Sequence, residues 1–165
     1  MKNIVFLDID GPVIPGPLYN ISSNCSHNRS LMSQNAIGYL NRLCGITESL
    51  IVTNSSHNFH DTTRGEKIYS LKDDLLFHGL KERYFHQNWH TEFPFVSSPW
   101  DYENFDHTRL IAINKWLKEN GDHQWVCFDD IKFTDDERLI VVDFDDGITK
   151  ASVNQAIKLL QDSTS

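Results

Sequence analysis

Four short aliphatic runs, each closed by an acid or a small polar residue, constrain this chain more than any other feature. They are Asn3–Leu7 before Asp8, residues 50–52 before Thr53, residues 124–128 before Asp129 and residues 138–142 before Asp143. A run that is apolar on successive residues predicts a strand covered on both faces, as in a parallel sheet between layers of helices. Helical patterns fill the intervals. Residues 33–44 carry Ile37, Leu40 and Leu43 on one face before Gly45, and residues 107–120 carry Leu110, Ile113 and Leu117 before Gly121. Thr149 can cap a last helix with Val153, Ala156, Ile157 and Leu160 turned inward. The alternation predicts an α/β fold, and in such sheets ligands sit beyond the carboxyl ends of the strands.

Two stretches lie outside this pattern. Residues 11–30 are rich in Pro, Gly, Ser and Asn, and residues 81–106 are rich in aromatics and His with Pro94 and Pro99. Both read as irregular, the first as a flap and the second as an insert. At 165 residues, 39% of them hydrophobic, the chain fits one domain over residues 1–165. No apolar run approaches the roughly 18 residues that a bilayer span needs. Asp8 interrupts the N-terminal apolar stretch too early for a secretory signal, so the expectation is a cytoplasmic protein with no membrane partner. Cys25, Cys44 and Cys127 are an odd number at unrelated spacings, which suits a reducing compartment and neither a disulfide framework nor a zinc site. The net charge of -8 argues against a broad phosphate-backbone binder. Oligomeric state is not encoded in any of these features.

Asp8-Ile9-Asp10-Gly11 carries the chemistry. Residues i and i+2 of an extended segment point to one side about 7 Å apart, so both carboxylates face one volume and repel unless a cation or a shared proton offsets them. A hard divalent ion such as Mg²⁺ is the expected solution, held by carboxylates while a substrate phosphate completes its shell. The alternative is an ordinary surface turn. Leu50-Ile51-Val52-Thr53-Asn54-Ser55 adds hydroxyls at a second strand end, and Val126-Cys127-Phe128-Asp129-Asp130 adds an acid pair at a third.

This order resembles the haloacid dehalogenase-like (HAD) phosphohydrolase superfamily, in which an Asp-x-Asp, a Thr or Ser, a basic residue and an acidic pair follow one another. Within it the chain is similar to small single-domain members such as the HAD domains of Swiss Army Knife RNA repair proteins. The similarity lies in residues 4–11, Arg109-Leu110-Ile111-Ala112-Ile113-Asn114-Lys115-Trp116-Leu117, Phe128-Asp129-Asp130 and Asp146-Gly147-Ile148-Thr149. The middle third of the chain is not matched.

The resemblance implies a three-layer Rossmann-like fold with a mostly parallel sheet and no large cap domain, leaving the site open to solvent. It implies a Mg²⁺-dependent phosphatase in which Asp8 is the nucleophile and Asp10 the general acid and base. Mg²⁺ would take the Asp8 side chain, the Asp10 backbone carbonyl and Asp129, with Asp130 close behind. Thr53 with the backbone of Asn54 would bind phosphoryl oxygens, or Ser55 if the alignment shifts. One departure stands out: where relatives place a Lys, this chain has Thr108 with Arg109 beside it, so Arg109 is the candidate substitute, ahead of His107 and Lys81. Uncapped members act on large substrates, so the expected partner is a phosphorylated substrate such as a macromolecule or a nucleic-acid end. A non-catalytic phosphate-binding or regulatory module is the rival, favoured only by the missing Lys.

Other residues invite plainer roles. His57 with His60, and His86 with His90, lack partners at zinc-site spacing and read as loop residues. Trp116 and Trp125 fall in a helix and a strand and read as packing, whereas Trp89 and Trp100 lie in the insert. Asp135, Asp136, Asp145 and Asp146 read as turn acids, and Asp143, at a strand end, as second support for the site.

Overall fold

A computed structural model describes residues 2–24, 31–55, 70–92 and 102–162, with the side chains of 22–24 and 102–107 left aside. In chain order the elements are β1 (Asn3–Leu7), α1 (Gly16–Asn24), α2 (Gln34–Thr47), β2 (Leu50–Thr53), α3 (Leu71–Phe77), a 3₁₀ turn (Glu82–Tyr84), β3 (Phe85–His90), α4 (Tyr102–Asn120), β4 (Gln124–Asp129), β5 (Leu139–Val141) and α5 (Lys150–Asp162). The five strands form one sheet in the order β3-β2-β1-β4-β5, every pair parallel. This is the three-layer, Rossmann-like α/β arrangement expected of the HAD fold. Among the described residues no segment builds a cap domain, and no helix is long and apolar enough to cross a membrane.

Alternation along β1 divides the core. Ile4 and Phe6 join Ile113 and Trp116 of α4 on one face, while Val5 and Leu7 join Leu40 and Leu43 of α2 and Val153 and Leu160 of α5 on the other. Phe6 is wedged edge-on between Trp116, at 5.5 Å between ring centroids, and Trp125, at 5.7 Å. Trp116 and Trp125 are therefore packing residues, as their positions in a helix and a strand predict.

The helix ends follow local chemistry. The Ser33 hydroxyl accepts from Ala36 N–H to open α2, and Ser70 with Asp73 forms a capping box on α3. Ser152 N–H donates to Thr149 Oγ1 at the start of α5, the capping expected of Thr149.

Two regions differ from the sequence expectation. The stretch 11–30 is irregular only up to Pro15, because Gly16–Asn24 is helical and residues 25–30 lie outside the described part. Pro17 sits in the first turn of α1, where a missing N–H leaves no helical bond unmade, so proline there opens a helix instead of excluding one. The stretch 81–106 contains a 3₁₀ turn, the edge strand β3 and the first turns of α4; residues 93–101 are outside the described part. The sequence of β3, Phe-His-Gln-Asn-Trp-His, is polar because an edge strand needs no apolar cover on every residue. Helix α4 also begins five residues ahead of the apolar pattern that marks it.

Candidate active site

Register brings the strand ends level. Leu7 pairs with Thr53 on one side and with Phe128 on the other. The ladder runs one residue further, with Asp8 N–H donating to Phe128 O at 3.0 Å and Asn54 N–H to Leu7 O at 2.8 Å. Asp8, Asn54 and Asp129 therefore stand side by side at the carboxyl edge of the sheet. Beyond Asp8 the chain turns sharply, with Val13 and Ile14 N–H both donating to Ile9 O. Gly11, at φ +84°, lets this turn close on the next loop: a Cβ there would lie 2.7 Å from Asp130 Cβ. Gly147, at φ +65°, lies against the same turn, and Ile148 N–H donates to Pro12 O at 3.0 Å. That contact accounts for the Asp146-Gly147-Ile148-Thr149 segment, which buttresses the loop bearing Asp8 and Asp10.

Asp8, Asp129 and Asp130 gather at this edge with one oxygen of each within 4.8 Å of the others. Arg109, in the second turn of α4 and 5% exposed, reaches in from the side. Its Nη1 lies 2.5 Å from Asp129 Oδ2 and 3.2 Å from Asp8 Oδ2. The other Asp129 oxygen, Oδ1, accepts from Ile131 N–H at 2.9 Å. Asp8 accepts from the Ser55 hydroxyl and from Ile9 N–H, and its carboxyl is also in hydrogen-bond contact with that of Asp130. Two carboxylates hold such a contact only through a shared proton or a cation.

The electrostatics agree. Burial pushes the Asp8 carboxyl up to about 6 in spite of Arg109, and pushes Asp129 up to about 8, with Asp8 adding repulsion. Asp130 is raised as well, chiefly by burial. Burial also works against the Arg109 charge, but Asp8 and Asp129 outweigh it and hold the guanidinium above its ordinary range. Among the described residues one cation thus faces three carboxylates, and the excess negative charge in a largely buried, all-oxygen donor set fits a hard divalent ion such as Mg²⁺.

The remaining sequence candidates separate clearly. Asp10 is partly exposed beside Gly11, close enough to Asp130 to raise its carboxyl. The Thr53 hydroxyl is directed to Trp89 O on β3, at 3.3 Å, and the Asn54 N–H is engaged by Leu7 O, whereas the Ser55 hydroxyl is on Asp8. Lys81 precedes β3, at the opposite end of the sheet from Thr53, and is not at the site. The side chain of His107 lies outside the described part, as do Trp100, His57, His60 and Cys25. His86 packs on Trp116 and His123 while Trp89 packs on Phe85 and His90, and neither histidine joins a metal-type cluster among the described residues. Asp135 and Asp136 pair with Lys132 and Arg138, and Asp143 Oδ1 accepts from the N–H groups of Asp145 and Asp146. Cys44 and Cys127 are free and buried.

Asp8 is 2% exposed, and Ser55 and Asp129 are fully buried, whereas Asp10 and Asp130 at the same edge are partly exposed. Sequence reasoning missed Thr91, a buried residue just past β3 whose hydroxyl donates to Asn54 Oδ1 at 2.8 Å. Only the pairing of β3 with β2 could have exposed it.

Comparison with curated proteins finds no match, and neither does comparison with solved structures. A family model described as the HAD domain in Swiss Army Knife RNA repair proteins matches residues 4–153. That span takes in the five described strands, but for Asn3 at the start of β1, and all the acids gathered around Asp8, so the chain belongs to this family of HAD domains.

Proposed function

We propose that the protein is a Mg²⁺-dependent phosphatase that hydrolyses phosphoric monoesters through an aspartyl-phosphate on Asp8. The observation that carries the reading is the buried Asp8 carboxyl, flanked by Arg109 and by the acids Asp129 and Asp130. An Asp8 oxygen attacks phosphorus, the ester P–O bond breaks, and Asp10 gives its proton to the leaving oxygen. Asp10 then takes a proton from water, which attacks the phosphorus of the acyl phosphate and releases phosphate and the free Asp8 carboxylate. Ser55 supplies a hydroxyl to the phosphoryl oxygens, and Arg109 offsets charge on nucleophile and phosphoryl group.

Asp8, Asp130 and the Asp10 backbone carbonyl would hold Mg²⁺. Both Asp129 oxygens are engaged, by Arg109 and by Ile131 N–H, which favours Asp130 as the direct ligand and Asp129 as the anchor of the guanidinium. The ion would supply neutralisation of the transferring phosphoryl group. Arg109 beside Asp8 also answers the missing Lys, the one feature that favours a non-catalytic module.

A nucleic-acid end is the more specific reading of the substrate. It is favoured by the family description, which names RNA repair proteins, and by the absence of a cap among the described residues. Hydrolysis of a generic aryl phosphate with Mg²⁺, abolished in Asp8→Asn, tests the enzyme. Comparing phosphorylated sugars, nucleotides and oligonucleotide ends as substrates tests the class. No turnover on any of them, with phosphate binding intact, would leave a binding module instead.

A further inference from the structure

Thr91 is 1% exposed and ties the end of β3 to the segment that follows β2. Its N–H donates to Thr53 O at 2.9 Å and its hydroxyl to Asn54 Oδ1 at 2.8 Å. In that bond the hydroxyl donates to the amide oxygen, so the nitrogen is the end of the carboxamide that Thr91 does not hold. With Oδ1 held by Thr91, the amide nitrogen Nδ2 is buried and has no hydrogen-bond partner among the described residues. Native proteins seldom keep a buried donor unpaired, and when they do the group usually awaits something the resting fold lacks.

Asn54 stands where a spare donor has a use. Its N–H bonds the carbonyl of Leu7, immediately before Asp8, and its neighbour Ser55 hydrogen-bonds the Asp8 carboxyl. Asn54 is fully buried, as Ser55 is. A phosphoryl group brought to Asp8 carries only acceptors, and a preset amide N–H needs no reorganisation to meet one of them.

We propose that Thr91 is a positioning residue, whose hydroxyl holds the Asn54 carboxamide so that Nδ2 donates to a phosphoryl oxygen of the ester at Asp8. The inference rests on the phosphatase reading and extends it to the pocket that grips the phosphoryl group.

Thr91→Val removes the hydroxyl with little change of shape, and Thr91→Ser keeps it. Binding of inorganic phosphate in the presence of Mg²⁺ is measured by calorimetry, alongside Mg²⁺ binding alone and the KM and kcat for an aryl phosphate. Thr91→Val should weaken phosphate binding at least about tenfold, as expected for a hydrogen bond to a charged group, and raise KM while leaving Mg²⁺ affinity unchanged. Thr91→Ser should restore phosphate binding to within about twofold on the same scale. Asn54→Ser, which leaves Thr91 in place, should show the same loss.

Unchanged phosphate affinity in either Thr91→Val or Asn54→Ser overturns the inference while the phosphatase reading stands. Equal loss of Mg²⁺ and phosphate affinity in Thr91→Val, without rescue by Thr91→Ser, reduces Thr91 to a structural role and overturns it too. A wild-type protein that neither binds phosphate nor turns over the ester overturns the phosphatase reading, and the inference falls with it.

Discussion

Arg109 Nη1 sits 3.2 Å from Asp8 Oδ2 and bonds Asp129 through the same nitrogen, so one guanidinium is shared by two buried carboxylates from two different strand ends. Removing one partner of such a group leaves uncompensated charge inside the protein, a cost of roughly 3–5 kcal/mol. Arg109→Met should therefore lower metal-free stability by about that amount and reduce turnover at least about a hundredfold. Arg109→Lys should keep more of both, since it retains the charge and loses the fork. Urea unfolding in a chelator reads the first effect, and a midpoint unchanged in Arg109→Met would mean that the pair contributes nothing.

The raised carboxyls give stability a definite slope with pH. Asp8 is pushed up to about 6 and Asp129 to about 8, both mainly by burial, against an ordinary value of 3.8. An acid whose folded value is raised binds more protons folded than unfolded, so its contribution is complete below about 4 and is lost as pH rises through the folded values. The metal-free protein should be more stable at pH 5 than at pH 9. Asp129→Asn should flatten the slope, and added Mg²⁺ should raise stability most at the alkaline end, where the acids are charged. Urea midpoints that rise from pH 5 to pH 9 without metal would contradict this assignment.

The legible part of the molecule was the part governed by local pattern. Doubly covered strands such as β1 are apolar on successive residues, here Ile4 to Leu7, and their terminal acids follow directly, so β1, β2, β4 and β5 and the positions of Asp8 and Asp129 can be read from the chain. Edge strand β3 is half solvated and carries no such pattern, and with it Thr91 is hidden. The choice among Thr53, Asn54 and Ser55 depends on which hydroxyl finds a backbone acceptor on β3, a tertiary fact. Arg109 could be named as a candidate but not placed, because the spacing of α4 fixes its face and not its reach.

Glycine substitutions separate loop geometry from general strain. At Gly147 a Cβ would meet Gly11 O and Pro12 O at 2.9 Å, both rigid backbone of the loop after Asp8, on top of a positive φ. Gly147→Ala should cost about 1–3 kcal/mol and lower activity by shifting the Asp10 region. Gly79, at φ +99° with no described atom within 4 Å of where a methyl would sit, bears only the backbone penalty. Gly79→Ala should destabilise by about 1 kcal/mol and leave turnover per folded molecule unchanged. Melting curves and activity measured on the same samples distinguish the two, and equal activity losses would show that the loop contact is unimportant.

Thr53 and Ser55 make opposite predictions although they are two residues apart. The Ser55 hydroxyl bonds the Asp8 carboxyl and helps lower its pKa, whereas the Thr53 hydroxyl is directed to Trp89 O on the neighbouring strand. Ser55→Ala should remove a donor at the reacting centre, reducing kcat/KM by about 10²–10³ with a modest change in stability. Thr53→Val keeps the volume and loses one buried hydrogen bond, so it should cost about 1 kcal/mol of stability with activity lowered less than about tenfold, a fall that corresponds to about 1.4 kcal/mol in the barrier. Steady-state kinetics on an aryl phosphate, paired with urea unfolding, give both quantities for each variant. If Thr53→Val loses activity as Ser55→Ala is expected to, the phosphoryl-binding hydroxyl belongs to the strand end itself, and the segment after β2 must shift when substrate enters.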